Sequence, residues 1–255
     1  MENNKGQLNN IEQNYEKQTY KRRMTGYLIF AIILTFLVVL IKDLRIDQYM
    51  ERLITSLLGE GDVAVTQAAV MFAHTEVIIA LSIGIIAALI ISGLSNWAFL
   101  YFRLMFFGSF IAYLLKEVIS RPRPTELISA NLWQLGTESI SQSFPSGHVM
   151  KITFLIAFFV ILYMVKRKEK LPTGILGIGG ILVVLVGLGQ VLNGRHFFTD
   201  VVGGYFWALA WTYGNLYVES LRKEKGIFGE NTITRRSAFV FQRKFSLKGN
   251  SGRGL

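Results

Sequence analysis

Apolar residues run uninterrupted by charge from Met24 to Ile41, Val77 to Phe102, Ile152 to Val165, Leu171 to Gly194 and Val201 to Val218. A helix needs about 20 mostly apolar residues to cross a bilayer, so runs of this length read as spans. The longest is interrupted by "SGLSN", Ser92 to Asn96, whose composition predicts a tight turn. One span then ends near Ile91, and the next starts near Trp97 and continues to about Ile119. The pattern predicts an all-α, polytopic membrane protein with six transmembrane helices, at roughly 24–42, 73–92, 97–119, 149–166, 173–193 and 201–219. Between the first two, "DLRIDQYMERLITSLLGEGD" places Ile46, Met50, Leu53, Ile54 and Leu57 at helical spacing, as in an amphipathic helix lying on the membrane surface as an entry rim.

Charge orients the spans. Lys17, Lys21, Arg22 and Arg23 precede the first helix, "KRKEK" (Lys166 to Lys170) joins the fourth to the fifth, and Arg222, Lys223 and Lys225 follow the sixth. With six helices all three clusters fall on one side, which the positive-inside rule assigns to the cytoplasm. Both termini are then cytoplasmic. The chain divides into a polar N-terminal segment (1–23), a six-helix membrane domain (24–219) and a basic C-terminal tail (220–255). The first 23 residues are polar and charged, unlike a signal peptide, so the first helix is expected to remain as an uncleaved anchor.

Composition agrees with this frame: 51% of the residues are hydrophobic and 17% charged, against about a quarter charged in a soluble domain. The net charge of +10 is concentrated beside the spans and in the tail, where anionic lipid headgroups, not nucleic acid, are the expected partner. With no cysteine the chain has neither a disulfide nor a thiol nucleophile. Nothing in the pattern bears on oligomeric state.

Polar chemistry gathers at one membrane boundary, the outer one in this topology. In "KEVISRPRP", Lys116 to Pro124, the prolines force an extended exit from the third helix, and Arg123 can fold back toward Lys116 so that both reach one anion. The competing reading has Lys116 snorkelling and Arg121 and Arg123 binding headgroups. "SFPSGHVMK", Ser143 to Lys151, reads as a helix start with Ser146 as N-cap. Gly147 there permits close approach to the backbone, free amides attract anions, and His148 stands in the first turn. "GRHFFTDVVGG", Gly194 to Gly204, sets His196 four residues before Asp200, a spacing at which a carboxylate can take the imidazole proton and leave the other ring nitrogen free to attack. Equally, Asp200 can cap the sixth helix.

Taken in order, Lys-x6-Arg-Pro, Pro-Ser-Gly-His and His-x3-Asp, each at the outer end of a span, resemble the motifs of the type 2 phosphatidic acid phosphatase superfamily. The resemblance covers about residues 24–219. It implies a dephosphorylation that uses neither metal nor cofactor and passes through a phosphohistidine intermediate. By position, His196 corresponds to the nucleophile, Asp200 to the group that orients it, and His148 to the acid that protonates the leaving oxygen. Lys116, Arg123, the Ser146 hydroxyl and the Gly147 amide correspond to the groups that hold the phosphoryl oxygens. The chain departs from the family in the third motif, where Gly189 and Gln190 occupy the positions of a Ser-Arg pair. Gln190 can donate a hydrogen bond but brings no charge. Lys151, three residues after His148, or Arg195, beside His196, is expected to supply the lost charge.

The implied substrate is a lipid phosphate whose tail stays in the bilayer: undecaprenyl pyrophosphate, phosphatidylglycerol phosphate or phosphatidic acid. A bacterial plasma membrane is the expected location. Three functions remain open: a phosphatase, a phosphotransferase using the same histidines, and a silent lipid-binding protein. Elsewhere, Glu76 with His74 is expected to border the site, since an ionisable residue in a span is a functional candidate. Arg103 is expected to snorkel. Gly108, Gly174, Gly177, Gly179, Gly180, Gly187 and Gly189 are expected to permit close helix packing.

Overall fold

The structure, a computed structural model, describes residues 2–41, 44–58, 63–124, 142–167 and 172–224. The tail beyond 224, residues 125–141 of the connection after the third predicted span and residues 168–170 of "KRKEK" lie outside the described residues. Helices, and no strands, make up the described residues. In chain order they are α1 (Glu2–Leu40), α2 (Arg45–Leu58), α3 (Val63–Phe72), α4 (Thr75–Ile91), α5 (Ser95–Ile119), α6 (Gly147–Arg167), α7 (Thr173–Leu192) and α8 (Phe198–Glu224). The first helix starts far ahead of the predicted span, because the polar residues before Met24 contain no proline to stop it.

Four of these helices are long and apolar enough to cross a membrane: α1 (through Gln13–Leu40), α5, α6 and α7. They become five if α3 and α4, bent by 47° at a short break, are one span. The remaining long helix, α8, has 27 residues, but it carries Thr199, Asp200, Thr212, Asn215 and Glu219, all buried. It is the central helix, packed against α1, α2, α5, α6 and α7, so its polar side chains face protein. Centrality therefore explains why it is less apolar than its neighbours. Along its contact with α1, Tyr27 stacks on Tyr213 at 5.5 Å and Phe30 meets Phe206 at 4.1 Å between ring centroids.

Two helix ends are shaped by glycine. After α4, Gly93 adopts φ +69°, and its N–H and that of Leu94 bond the Ile90 and Leu89 carbonyls. After α7, Gly194 adopts φ +61°, with its N–H on Val191 and the Arg195 N–H on Gln190. Both are Schellman caps, in which a left-handed residue closes the last turn at no steric cost if it is glycine. The first is the turn predicted in "SGLSN"; the second aims the segment that carries His196.

Glycine also sets helix spacing, as expected, at Gly108, Gly179, Gly187 and Gly189, where an added Cβ would collide with a neighbour. Gly174, Gly177 and Gly180 have open space instead. Arg103 does not snorkel. It is buried, paired with Glu219 of α8 at 2.5 Å and set 5.2 Å from the Phe99 ring, because a buried carboxylate is a better partner than a distant headgroup. It opens a π-helical turn, Arg103–Phe107, inside α5.

Candidate active site

The three polar clusters converge at one end of the bundle, where α5 ends and α6 and α8 begin. Ser120 terminates α5 in a left-handed conformation, φ 47°, and its N–H bonds the Lys116 carbonyl. The extended exit through Pro122 then runs beside the segment before α6. Ser143 ties the two together, donating its N–H to the Arg121 carbonyl at 2.8 Å and its hydroxyl to the Arg121 and Pro122 carbonyls. Lys116 Nζ donates to the Gln142 carbonyl at 2.6 Å, so this lysine pins the same segment from the helix side.

The Pro-Ser-Gly-His turn sits directly on α8. The Ser146 N–H donates to the Asp200 carbonyl at 2.9 Å. A Cβ on Gly203 would lie 2.5 Å from the Phe144 ring, and one on Gly204 would lie 2.7 Å from the Ser146 carbonyl oxygen, so only glycines let the two segments close. Ser146 does not cap α6 through its side chain. Its hydroxyl is buried without a hydrogen-bond partner, a costly state unless something is meant to bind it. Around Gly147 there is open space.

His148 and His196 face each other across this turn, ring centroids 6.3 Å apart and planes at 65°. His196 is 2% exposed. Its Nδ1 lies 3.7 Å from Asp200 Oδ2, an electrostatic contact longer than a hydrogen bond, and has no hydrogen-bond partner. The carboxylate is engaged elsewhere: Oδ2 accepts the Phe197 N–H at 2.8 Å and Oδ1 accepts from Arg121 at 2.5 Å. Asp200 therefore caps α8 by reaching back to the residue before its first turn, while its side chain stays beside the imidazole. The capping reading holds, whereas the carboxylate takes no hydrogen bond from the imidazole here.

Burial pushes the His196 pKa below its ordinary value, and the positive charges of Lys116 and Arg123 push the same way, against the pull of Asp200. Since burial disfavours the charged ring, the imidazole stays neutral, with a free lone pair, to lower pH than an exposed histidine. In an NMR titration of the imidazoles, with His196 assigned by its loss in His196→Gln, its midpoint is expected below about 6.5. A midpoint above that value contradicts the burial argument.

Arg121 and Asp47 escape sequence analysis. Arg121 is not a headgroup ligand: it is 6% exposed and lies with its guanidinium carbon 4.0 Å from the Phe197 ring centroid. It donates to Asp200, to Thr199 Oγ1 at 2.9 Å and to Asp47 Oδ2 at 2.7 Å. Asp47, 3% exposed in α2, also accepts the Thr199 N–H at 2.8 Å and its hydroxyl at 2.9 Å. It thus satisfies a free amide in the first turn of α8, where the helix dipole favours a carboxylate. The amphipathic segment is held to the protein by this contact. A signal existed: Asp47 precedes Met50 by three and Ile54 by seven residues, which puts an acid on the apolar face.

One of the two departures from the expected third motif, Gly189, has a local cause. At Gly189 a Cβ would lie 2.6 Å from Val70 Cγ2 and 2.8 Å from the Thr66 carbonyl oxygen, so close packing of α3 excludes a serine. Gln190 is fully buried, its carbonyl accepts the Arg195 and His196 N–H groups, and both its side-chain amide atoms lack a hydrogen-bond partner. Of the two candidate replacement cations, Arg195 is exposed, and Lys151 Nζ donates to Thr75 Oγ1 at 2.5 Å.

The chain is similar to known proteins. The family model of the PAP2 superfamily matches residues 97–224, half of the chain. Phosphatidylglycerophosphatase B of Bacillus subtilis is 38% identical over 96 residues, 36% of this chain and 42% of that protein. Lipid A 1-phosphatase of Rhizobium johnstonii is 29% identical over 110 residues, 42% of this chain and 41% of that protein. The chain thus matches about two fifths of the length of these curated relatives. The crystal structure of a transmembrane PAP2-type phosphatidylglycerolphosphate phosphatase from Bacillus subtilis superposes with a TM-score of 0.59 at 22% identity, covering 82% of this chain and 99% of that one. That likeness is one of fold.

Proposed function

The chain belongs to the PAP2 superfamily, and on that premise we propose that it is a membrane lipid phosphate phosphatase working through a phosphohistidine. The observation that carries this is the facing pair His148 and His196 beside Asp200, next to a buried serine hydroxyl without a partner. His196 attacks phosphorus through its Nε2. The P–N bond forms as the P–O bond to the leaving group breaks, and His148 gives its proton to the departing oxygen. His148 then takes a proton from water, whose oxygen attacks phosphorus, breaks the P–N bond and releases inorganic phosphate. Asp200 stabilises the imidazolium of the intermediate.

Phosphoryl transfer depends on positioning and on cations or N–H donors matched to the equatorial oxygens. Lys116, Arg123, the Ser146 hydroxyl and the Gly147 amide supply them, with the Gln190 amide as a neutral donor. Lys151 or Arg195 provides the charge that Gln190 lacks, and no metal is needed. We place residues 24–219 as the catalytic domain of a bacterial plasma-membrane protein, between the polar segment 1–23 and the basic tail 220–255. It has six spans, counting α8 and the bent α3–α4 pair, with both termini cytoplasmic and the site on the extracytoplasmic face. The cation clusters support that orientation.

The test is phosphate release in detergent micelles, with chelator present, from phosphatidylglycerol phosphate, phosphatidic acid and undecaprenyl pyrophosphate. Release from at least one without divalent metal is expected. Transfer to a lipid or glycan acceptor in excess of free phosphate would instead make the protein a phosphotransferase. Lipid binding without turnover would make it a silent member of the family.

A further inference from the structure

All three histidines of the chain lie together, and His148 is the shared neighbour of the other two: His196 at 6.3 Å and His74 at 6.0 Å between ring centroids. His74 precedes the first turn of α4 at the break between α3 and α4, and its side chain makes no capping bond. Its Nδ1 is instead 2.6 Å from Glu76 Oε2, with the two side chains 47% and 80% exposed. Between them in sequence, Thr75 receives the Lys151 ammonium, one helical turn beyond His148 on α6. An imidazole, a hydroxyl, a carboxylate and an ammonium thus meet beside the proposed general acid. The chemistry proposed above gives His74, Thr75 and Glu76 no task, and with Lys151 held on Thr75 the charge that Gln190 lacks falls to Arg195.

The side on which they lie has a meaning. In-line displacement puts the leaving oxygen opposite the attacking nitrogen. The acid that protonates that oxygen must stand at the exit, so the neighbours of His148 away from His196 face the departing group. The flanking helix surfaces are apolar, with Met71, Phe72, Val77 and Ile79 exposed on α3 and α4, so the cluster is a polar notch in a wall suited to a lipid tail. Its charges balance, one ammonium against one carboxylate. A second phosphate at this position would meet Glu76 as a like charge, whereas an alcohol hydroxyl can donate to Glu76 and accept from Lys151 or Thr75.

We propose that His74, Thr75, Glu76 and Lys151 form a leaving-group subsite that selects a hydroxyl-bearing alcohol, the glycerol or sugar of a lipid headgroup, over a second phosphate. This rests on the phosphatase reading. The subsite orients the departing oxygen toward His148, and it disfavours polyprenyl diphosphates. A hydrogen bond to a charged group contributes roughly a tenfold to hundredfold effect when lost.

The experiment measures kcat and KM for phosphatidylglycerol phosphate, phosphatidic acid, undecaprenyl pyrophosphate and p-nitrophenyl phosphate, in the wild type, Glu76→Ala, Glu76→Gln and Thr75→Val. Wild type is expected to prefer phosphatidylglycerol phosphate. In Glu76→Ala the ratio of its kcat/KM to that for p-nitrophenyl phosphate should fall at least about tenfold, mainly through KM, with part of the loss recovered in Glu76→Gln, which keeps an acceptor oxygen. A ratio unchanged in both the Glu76 and Thr75 variants, or a wild-type preference for the diphosphate, overturns the subsite while leaving the phosphatase standing. A wild type that releases phosphate from none of the four removes the phosphatase reading and the subsite with it.

Discussion

His196→Ala is expected to abolish phosphate release while leaving the helix bundle folded. The imidazole is buried, but its Nδ1 has no hydrogen-bond partner and its contact with Asp200 is 3.7 Å long, so truncation orphans no strongly bonded group. The Asp200 carboxylate keeps its bonds from Phe197 and Arg121. What disappears is the atom proposed to attack phosphorus. Removal of a nucleophile from a set of residues acting as a unit lowers kcat by about 10⁴ to 10⁶. The measurement is kcat on the best lipid, paired with an alkaline quench that preserves an acid-labile phosphoprotein. Wild type should yield the adduct and the variant none. Turnover within tenfold of wild type would remove His196 as nucleophile.

The second large effect concerns a residue that touches no reacting atom. Arg121→Ala would leave Asp47 and Asp200 buried without the cation both contact. Breaking a buried ion pair by deleting one partner costs about 3–5 kcal/mol, because an uncompensated charge stays behind. Activity should fall with stability, since Asp200 loses the guanidinium that holds its Oδ1. Arg121→Lys should rescue little: one ammonium cannot reproduce the planar fork that reaches Thr199, Asp200 and Asp47 together. Adding Asp47→Asn to Arg121→Ala should recover part of the stability by removing one stranded charge. Thermal unfolding in detergent, read beside kcat, separates the two effects. Arg121→Ala with unchanged stability would mean that the three-residue network is not coupled.

Much of the proposed site is legible in the sequence. The histidines, Asp200 and the residues proposed to bind the anion belong to short motifs whose spacing is local, and local spacing survives folding: His196 and Asp200 are neighbours because they are four residues apart at a helix start. Ser146 was only half legible. Its place at the start of α6 follows from composition, but its hydroxyl makes no capping bond, and the backbone leading to it is fastened through Ser143 to the segment after α5 and through its own N–H to α8. Arg121 stands in an "RPRP" repeat in which nothing local distinguishes it from Arg123; only the fold sends it inward, to two acids. The same limit applies to Arg103, whose buried partner Glu219 lies 116 residues away.

By itself the sequence determined the all-helical, membrane-spanning class, the turn at Gly93 and the family, and it nominated the residues proposed to do the chemistry. All of these follow from continuous apolar length, from backbone preferences of single residues and from spacings within one or two helical turns. The tertiary structure alone decided which charges are buried and with whom. Asp47 meets Arg121 across 74 residues, Arg121 meets Asp200 across 79, and Arg103 meets Glu219 across 116. Such pairs are chosen by how helices pack, through glycines that admit a neighbour's backbone and through the cost of leaving a buried charge alone.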